Sequence, residues 1–125
     1  MSQLQRKSVL VVDDDASMLK GMLRLLRQYG YHSVPFETGK ALRDHDSFDQ
    51  ALCIVLDINL SDGSGIELRY QLTEQGIALP VIYITGNDSD AIRMAALASG
   101  CVAYLTKPFT AQALIGPIEK IAAYA

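Results

Sequence analysis

The sequence lacks several features that mark secreted or nucleic-acid-binding proteins. Its two cysteines, Cys53 and Cys101, do not form a Cys-x-x-Cys pair and have no secretory context, which predicts reduced structural thiols. It contains no run of lysine and arginine, and its net charge is -3. Because a phosphate-binding surface needs a basic patch, the sequence argues against direct nucleic-acid binding.

Long hydrophobic runs are also missing. Residues 1–7 lead into only about five apolar residues, too few for the apolar part of a signal peptide or for a membrane span. No repeat, low-complexity segment or linker interrupts the chain. With 125 residues, of which 50% are hydrophobic and 20% charged, the sequence predicts one globular domain with a single substantial core. We expect this domain to be cytoplasmic and to have no contact with a membrane.

One stretch organises the rest of the chain. Residues 51–56 are apolar, Asp57 follows directly, and a polar turn containing glycine comes next. An apolar run of this length that is bounded by turn residues predicts a buried strand. The carboxyl ends of such strands form the edge at which open α/β sheets bind ligands. Asp57 is therefore the first candidate functional residue.

Apolar runs alternate with helical periodicities along the chain. Further strands are predicted at 8–12, 32–36, 80–84 and 102–106, and helices at 17–29, 38–43, 66–75, 88–99 and from 110 onward. This alternation predicts an α/β fold over residues 8–124, with a single doubly wound parallel sheet of five strands and five helices on its two faces. Gly116-Pro117 inside the last helix is the one irregularity, since proline usually bends a helix.

Four of the predicted strands end in residues that can take part in chemistry. They are Asp13 with Asp14, Asp57, Thr85 and Lys107. In a parallel sheet all these ends lie on one edge, so the side chains are expected to converge. Each also has an ordinary structural explanation. Acids cap helix N-termini, Asp and Thr form turns, and a lysine before a turn is commonly solvated.

Together these residues predict a phosphoryl-transfer site. Crowded carboxylates repel one another unless a cation binds them, and a few hard oxygen ligands suit Mg²⁺, which accepts phosphate as a further ligand. A carboxylate can itself accept a phosphoryl group, so Asp57 is the candidate acceptor. Asp13 and Asp14 are candidate metal ligands, and Asp15 is expected only to cap the next helix. Lysine and threonine opposite them would donate hydrogen bonds to phosphate oxygens.

The set Asp13-Asp14, Asp57, Thr85 and Lys107-Pro108 resembles the CheY-like receiver domain of bacterial two-component response regulators. The resemblance covers nearly the whole chain. It implies a flavodoxin-like sheet with strand order 2-1-3-4-5. It also implies a phosphoacceptor that assists its own phosphorylation and dephosphorylation with Mg²⁺, rather than an enzyme. Residues 84–86 and 107–109 look most like the receivers of nitrogen-fixation regulators.

The resemblance implies individual roles at the acid cluster. Asp57 would be phosphorylated by a sensor histidine kinase or a histidine phosphotransfer protein. Mg²⁺ would be held by Asp14, Asp57 and the backbone carbonyl of Asn59, with Asp13 reaching it through water. Lys107 would pair with the phosphate.

The same resemblance implies a switch. Thr85 and Tyr104 would form the switch pair, in which phosphate draws the hydroxyl in and the aromatic ring turns inward. The bond between Lys107 and Pro108 would be cis. Signalling would then follow from a phosphorylation-dependent change of conformation.

Three hypotheses of the function are compatible with these observations. The sequence ends at Ala125 with no output domain, so a stand-alone receiver is the first. The second is a receiver truncated from a DNA-binding transcriptional regulator. The third is a haloacid-dehalogenase-like phosphatase, which also uses an aspartate nucleophile on a parallel sheet. That family needs a second Asp where Asn59 stands, and a cap domain.

The fourth predicted helix suggests a contact surface. Residues 88–99 are apolar almost all round, whereas a helix on one side of a sheet buries only a stripe. Some of Ile92, Ala95, Ala96 and Ala98 must therefore face outward. The fourth helix and the fifth strand, which carries Tyr104, are expected to bind a downstream protein or a second copy of the chain. The alternative is a helix of small residues packed closely on the sheet.

Overall fold

The computed structural model describes residues 7–124. Its strands are β1 (Ser8–Val12), β2 (His32–Phe36), β3 (Ala51–Asp57), β4 (Asn59–Leu60), β5 (Gly63–Ser64), β6 (Val81–Thr85) and β7 (Ala103–Thr106). Its helices are α1 (Ala16–Gln28), α2 (Gly39–Arg43), α3 (Gly65–Glu74), α4 (Asp90–Ser99) and α5 (Ala111–Ala123), and Phe48–Gln50 forms a 3₁₀ turn. The prediction for the N-terminal segment falls mainly on residues 1–6, which lie outside the described part.

The main sheet is parallel, with the order β2-β1-β3-β6-β7. Numbered among themselves, its five strands have the order 2-1-3-4-5, so the predicted doubly wound fold is confirmed. β7 is thus the predicted fifth strand. Within residues 7–124, no helix has both the length and the apolar character that crossing a membrane requires.

Alternation along the buried strands builds a core on each face of the sheet. Val9, Val11 and Val55 pack with α1 and α5, whereas Leu10 and Ile54 pack with α2, α3 and α4. Burial on both sides explains why β1, β3 and β6 are buried along their whole length. The strands are therefore held rigidly, and so are the residues at their ends.

Side-chain caps fix where each helix begins. The capping residues are Asp15, Thr38, Ser64, Ser89 and Thr110 for α1 to α5 in order. The prediction that Asp15 is a cap is confirmed, since its Oδ1 accepts hydrogen bonds from the backbone of Ser17 and Met18. Most other predicted boundaries differ from the structure by one residue. α5 continues through Pro117 as one helix.

The predicted start of the fourth helix at Asp88 was wrong by two residues. Ser89 has extended backbone, and its hydroxyl accepts a hydrogen bond from Ile92 N at 3.1 Å, so α4 starts at Asp90. Asp88 consequently lies outside the helix, and its side chain is available for other contacts.

The segment after Asp57, for which the sequence predicts only a polar turn, is a small hairpin. β4 and β5 pair antiparallel, and Gly65 N donates a hydrogen bond to Ile58 O at 2.8 Å. A Cβ at Gly65 would lie 2.3 Å from Asp57 O, so only glycine fits there. At the hairpin tip, Asp62 accepts hydrogen bonds from Gly39 N and Lys40 N at 2.9 and 3.0 Å, which fastens the hairpin to α2.

Candidate functional site

The carboxyl edge of the sheet brings three acids together. Asp13 follows β1, Asp57 ends β3, and Asp14 lies beside them; the first two are buried and Asp14 is exposed. One carboxylate oxygen from each residue lies within 4.8 Å of the others. Further bonds hold the buried pair, because Asp13 Oδ1 accepts from Asp15 N at 2.9 Å and Asp57 Oδ1 accepts from Asn59 N at 3.0 Å.

Lys107 lies among these acids. It follows β7, and its Nζ donates hydrogen bonds to Asp13 Oδ2 and Asp57 Oδ2, each at 3.0 Å. Its backbone N donates to Thr85 O at 2.8 Å, which anchors the lysine to the end of β6. The Lys107–Pro108 peptide bond is cis. One ammonium thus faces three carboxylates and leaves the cluster with an excess of negative charge.

The electrostatics of the cluster are dominated by burial of Asp57. Burial raises the pKa of the Asp57 carboxyl from 3.8 to about 6, although hydrogen bonds from Lys107 and from the backbone of Asn59 oppose the rise, and the neighbouring Asp13 adds to it. Partial burial by itself lowers the pKa of Lys107, but its hydrogen bonds to Asp13 and Asp57 outweigh this effect and raise it. The lysine is therefore charged at neutral pH, and a large part of the Asp57 population is ionised.

The donor set fits a hard divalent cation. Three carboxylates within reach of one atom carry more negative charge than Lys107 neutralises. Oxygen ligands in this number suit Mg²⁺ rather than a soft transition metal. An open depression of about 390 Å³ leads to the cluster, and it is lined by Asp14, Asp15, Asp57, Asn59, Gly86, Asn87 and Lys107. The cluster could thus hold a metal ion that remains accessible to a second ligand.

Thr85 lies on the same edge of the sheet as the acids, but the hydrogen-bond partners of its side chain are Asn59 and Asn87 instead of Lys107. Its buried hydroxyl donates to Asn59 Oδ1 at 3.0 Å and accepts from Asn87 N at 3.0 Å. Asn59 therefore contacts both sides of the site, with its backbone on Asp57 and its side chain on Thr85. A Cβ at the neighbouring Gly86 would meet nothing closer than Lys107 Cδ at 3.8 Å, so the approach beside Thr85 is open.

Tyr104 contacts two residues, Asp88 and Arg93, that the sequence does not predict to belong to the site. Its hydroxyl donates to Asp88 Oδ1 at 2.8 Å, and Arg93 lies over its ring with the guanidinium carbon 4.9 Å from the ring centroid. Burial and the bond to Asp88 raise the pKa of Tyr104 to about 12. No spacing rule connects these residues, because Asp88 precedes α4, Arg93 lies within it and Tyr104 belongs to another strand.

α4 exposes apolar side chains beside β7. On α4, Met94 is 70% exposed and Leu97 59%, and Ala98 is also exposed. Val102, just before β7, is 48% exposed, and we refer to these four residues as the α4 patch. Of the residues predicted to face outward, Ala95 and Ala98 are exposed, whereas Ala96 is buried against the sheet. Ile92 is half-buried, in a groove shared with Ile58, Leu60 and Ile66.

Comparisons with known proteins agree with this geometry. The family model described as the response regulator receiver domain matches residues 9–119. Nodulation protein W of Bradyrhizobium diazoefficiens is 33% identical over 110 residues, which is 88% of this chain and 48% of that protein. Transcriptional regulatory protein TdiR of Thauera aromatica is 30% identical over 112 residues, or 90% and 49% of the two chains. The structure of response regulator StyR has a TM-score of 0.86 at 34% identity, covering 95% of this chain and 60% of that one. The chain thus spans about half the length of the curated relatives it matches.

Proposed function

The chain belongs to the family of response regulator receiver domains, and on that premise we propose that residues 8–124 accept a phosphoryl group on Asp57. The donor would be a sensor histidine kinase or a histidine phosphotransfer protein in the cytoplasm. The observation that carries the proposal is the arrangement of Lys107, whose ammonium lies 3.0 Å from both Asp57 and Asp13 at the mouth of an open depression.

The reaction is a displacement at phosphorus. The ionised carboxylate of Asp57 attacks the phosphorus of a phosphohistidine, an O–P bond forms, and the N–P bond breaks with its electron pair returning to the donor imidazole. The product is an acyl phosphate, and no oxidant or reductant is needed. Because burial holds the pKa of Asp57 near 6, the carboxylate is available at neutral pH but retains the basicity that makes it nucleophilic.

Asp13, Asp14, Asp57 and the backbone carbonyl of Asn59 would hold Mg²⁺. When bound, this ion supplies positive charge that offsets the charge on the phosphoryl oxygens. Lys107 contributes charge of its own, since its ammonium already lies within hydrogen-bonding distance of the Asp57 oxygen. A phosphoryl group on Asp57 would offer Lys107 new acceptor oxygens in place of the carboxylate.

Thr85 and Tyr104 would couple phosphorylation of Asp57 to a change of conformation at the protein surface. For Thr85 to donate to a phosphoryl oxygen, its hydroxyl must leave Asn59 Oδ1. Tyr104 lies on the neighbouring strand, so a shift of Thr85 changes the space beside the ring. Phosphorylation would thereby favour a second arrangement of Thr85, Tyr104 and α4.

The output would be a protein contact at the α4 patch. α4 packs beside β7, and Arg93 of α4 lies over the ring of Tyr104, so the rearrangement of the switch residues would alter this surface. The occupant would be a downstream protein or a second copy of the chain, and the oligomeric state of the phosphorylated protein distinguishes the two. Whether the receiver acts alone or within a longer transcriptional regulator stays a prediction, and the length of the native reading frame tests it.

The direct test of the phosphoacceptor is incubation with acetyl phosphate and Mg²⁺, followed by intact mass measurement. One phosphoryl group is expected on the wild type and none on Asp57→Asn. Asp49→Asn is the matched control, because it makes the same chemical change at an exposed acid before the opposite end of β3. Uptake by Asp57→Asn at the wild-type rate would exclude Asp57 as the acceptor.

A further inference from the structure

A closed set of contacts surrounds Tyr104. Its hydroxyl donates to Asp88 Oδ1 at 2.8 Å, and Arg93 Nη2 donates to Asp88 Oδ2 at 2.9 Å. The same guanidinium lies over the tyrosine ring, 4.9 Å from its centroid. Each of the three side chains thus contacts the other two, although they come from a loop, a helix and a strand.

The charge states at neutral pH suit these contacts. The hydrogen bonds from Tyr104 and Arg93 lower the pKa of Asp88, so this carboxylate is ionised. Burial and the neighbouring Asp88 raise the pKa of Tyr104 to about 12, so its hydroxyl keeps the proton that it donates. A hydrogen bond to an ionised acceptor is stronger than a neutral one, and a guanidinium over an aromatic ring adds a further attraction.

The cluster is connected to the site through one short segment. Asp88 follows Asn87, whose backbone N donates to the hydroxyl of Thr85 at 3.0 Å. Tyr104 pairs with Tyr83 between the neighbouring strands β6 and β7. Because side chains alternate along a strand, Thr85 and Tyr104 lie on the same face of the sheet. A displacement of the Thr85 hydroxyl therefore removes the acceptor of Asn87 N and disturbs the loop that carries Asp88.

From this geometry we propose that Asp88 and Arg93 form a latch that holds Tyr104 in the arrangement of the unphosphorylated protein. The two are positioning residues: they touch neither the acceptor nor the phosphoryl group, but they stabilise only one of the two arrangements. The inference rests on the proposed function, because the latch regulates the site that we assign to Asp57. Removal of the latch shifts the population toward the rearranged state, which accepts the phosphoryl group more readily.

The first experiment needs no phosphoryl donor. The protein is labelled with 3-fluorotyrosine, and the Tyr104 signal is identified as the fluorine resonance that disappears in Tyr104→Phe. Asp88→Ala should shift and narrow this signal, because the ring gains rotational freedom. Asp90→Ala, which removes an exposed acid at the first residue of α4, should leave it unchanged. Equal spectra for wild type and Asp88→Ala would overturn the latch.

The second experiment is a double-mutant cycle on the rate of uptake from acetyl phosphate with Mg²⁺. Asp88→Ala and Tyr104→Phe should each raise the rate by about threefold to fivefold, as expected for the loss of one hydrogen bond of ordinary net strength, because this bond is exposed to solvent. The double variant should be no faster than either single variant. If Asp88 only supported the start of α4, its effect would persist in full in the Tyr104→Phe background, and the latch would be wrong.

The two experiments separate the inference from the function on which it rests. If the wild type takes up no phosphoryl group, the proposed function fails, and the fluorine spectra still decide whether Asp88 restrains Tyr104. If uptake occurs at Asp57 but Asp88→Ala behaves like Asp90→Ala in both measurements, the function stands and the latch is overturned. Arg93→Lys keeps the charge but loses the planar fork, so it should give a smaller effect in the same direction as Asp88→Ala.

Discussion

The Nζ atom of Lys107 lies 3.0 Å from Asp57 Oδ2, so the proposed phosphoryl acceptor carries an internal counter-ion before any ligand arrives. The same ammonium contacts Asp13 at 3.0 Å. The lysine therefore acts on the unmodified protein as well as on a phosphoryl group, and it lowers the repulsion within the acid cluster.

Lys107→Ala should keep the fold but change the titration of Asp57. Both contributions of Lys107 lower the pKa of this carboxyl, so the variant should have a pKa above the wild-type value of about 6. The metal-free protein should also lose about 1–2 kcal/mol of its free energy of unfolding, because a partly buried ion pair is broken. Carbon-13 NMR of the aspartate carboxyls, recorded with EDTA, measures the pKa. Lys20→Ala on the exposed side of α1 is the control, and an equal Asp57 pKa in the wild type and Lys107→Ala would contradict the prediction.

Asp57→Asn should stabilise the metal-free protein at neutral pH but not in acid. The pKa of Asp57 is about 6 in the folded protein, above its ordinary value of 3.8, so its contribution to stability is complete below pH 3.8 and is lost as the pH rises through 6. As the pH rises from 4 to 7.5, the free energy of unfolding of the wild type should therefore decrease relative to that of the variant by up to about 3 kcal/mol. Chemical denaturation at both pH values measures the difference.

Asp62→Asn is the control for the direction of the stability change in Asp57→Asn. Hydrogen bonds from the backbone of Gly39 and Lys40 lower the pKa of Asp62, so its contribution is present above its ordinary pKa and is lost in acid. Asp62→Asn should therefore be less stable than the wild type at pH 7.5, and the deficit should shrink toward pH 3. A gain of stability at pH 7.5 in both variants would mean that lower net charge, rather than the buried carboxylate, explains Asp57→Asn.

Mg²⁺ should raise the melting temperature of the wild type. A ligand at a hundredfold excess over its dissociation constant stabilises the folded state by about 2.7 kcal/mol. Asp13→Asn removes a buried member of the cluster and should reduce this increment at the same Mg²⁺ concentration. Asp15→Asn is the matched control, since asparagine caps a helix about as well as aspartate and Asp15 accepts bonds from α1 instead. Thermal shift assays over a Mg²⁺ titration measure this rise in melting temperature. An equal rise in the wild type, Asp13→Asn and Asp15→Asn would argue against a metal site at the acid cluster.

The fold and the convergence of the acids could be predicted because both follow from regular geometry. Alternating strands and helices imply a parallel sheet, and the ends of parallel strands share one edge, which brings Asp13, Asp57 and Lys107 together. What could not be predicted are contacts set by side-chain rotamers between separate elements. The sequence predicts that Lys107 faces a phosphate, but its hydrogen bonds to Asp13 and Asp57 depend on the rotamer of a long, flexible side chain. The contact between Asp88 and Tyr104 depended on where α4 begins.

Gly65→Ala should damage the region around Asp57. The new Cβ would lie 2.3 Å from Asp57 O, so the backbone beside the acceptor must move. We expect a loss of about 2–3 kcal/mol in the free energy of unfolding, together with slower uptake from acetyl phosphate. Gly21→Ala is the control, because no atom other than those of its chain neighbours and the backbone of its own helix lies within 4 Å of its Cβ position, and alanine favours the helix by about 1 kcal/mol. Equal stability of the two variants would show that the backbone at Gly65 yields without cost.

Leu97→Lys should weaken phosphorylation-dependent self-association. Leu97 is 59% exposed in the α4 patch, so lysine is tolerated in the monomer but disfavoured in an apolar contact. Sedimentation velocity with and without acetyl phosphate measures the oligomeric state. Tyr29→Lys changes an exposed residue at the end of α1, away from the patch, and should behave as the wild type. Ile92→Lys is a poorer probe, because Ile92 is half-buried. If the phosphorylated wild type stays monomeric and binds a different protein through Leu97, the patch is a binding surface for that protein and not for a second copy.

The fastening of the hairpin to α2 has an evolutionary consequence. Asp62 reaches across 22 and 23 residues of sequence to bond the first two backbone N–H groups of α2, so the loop beside Asp57 and the start of α2 depend on one carboxylate. Substitutions at position 62 and in the turn before α2 should therefore be correlated among relatives. In an alignment of relatives, chains without an acceptor at position 62 should differ from this one at residues 38–40 more than at residues 41–43, and ancestral reconstruction should find the two changes on the same branches.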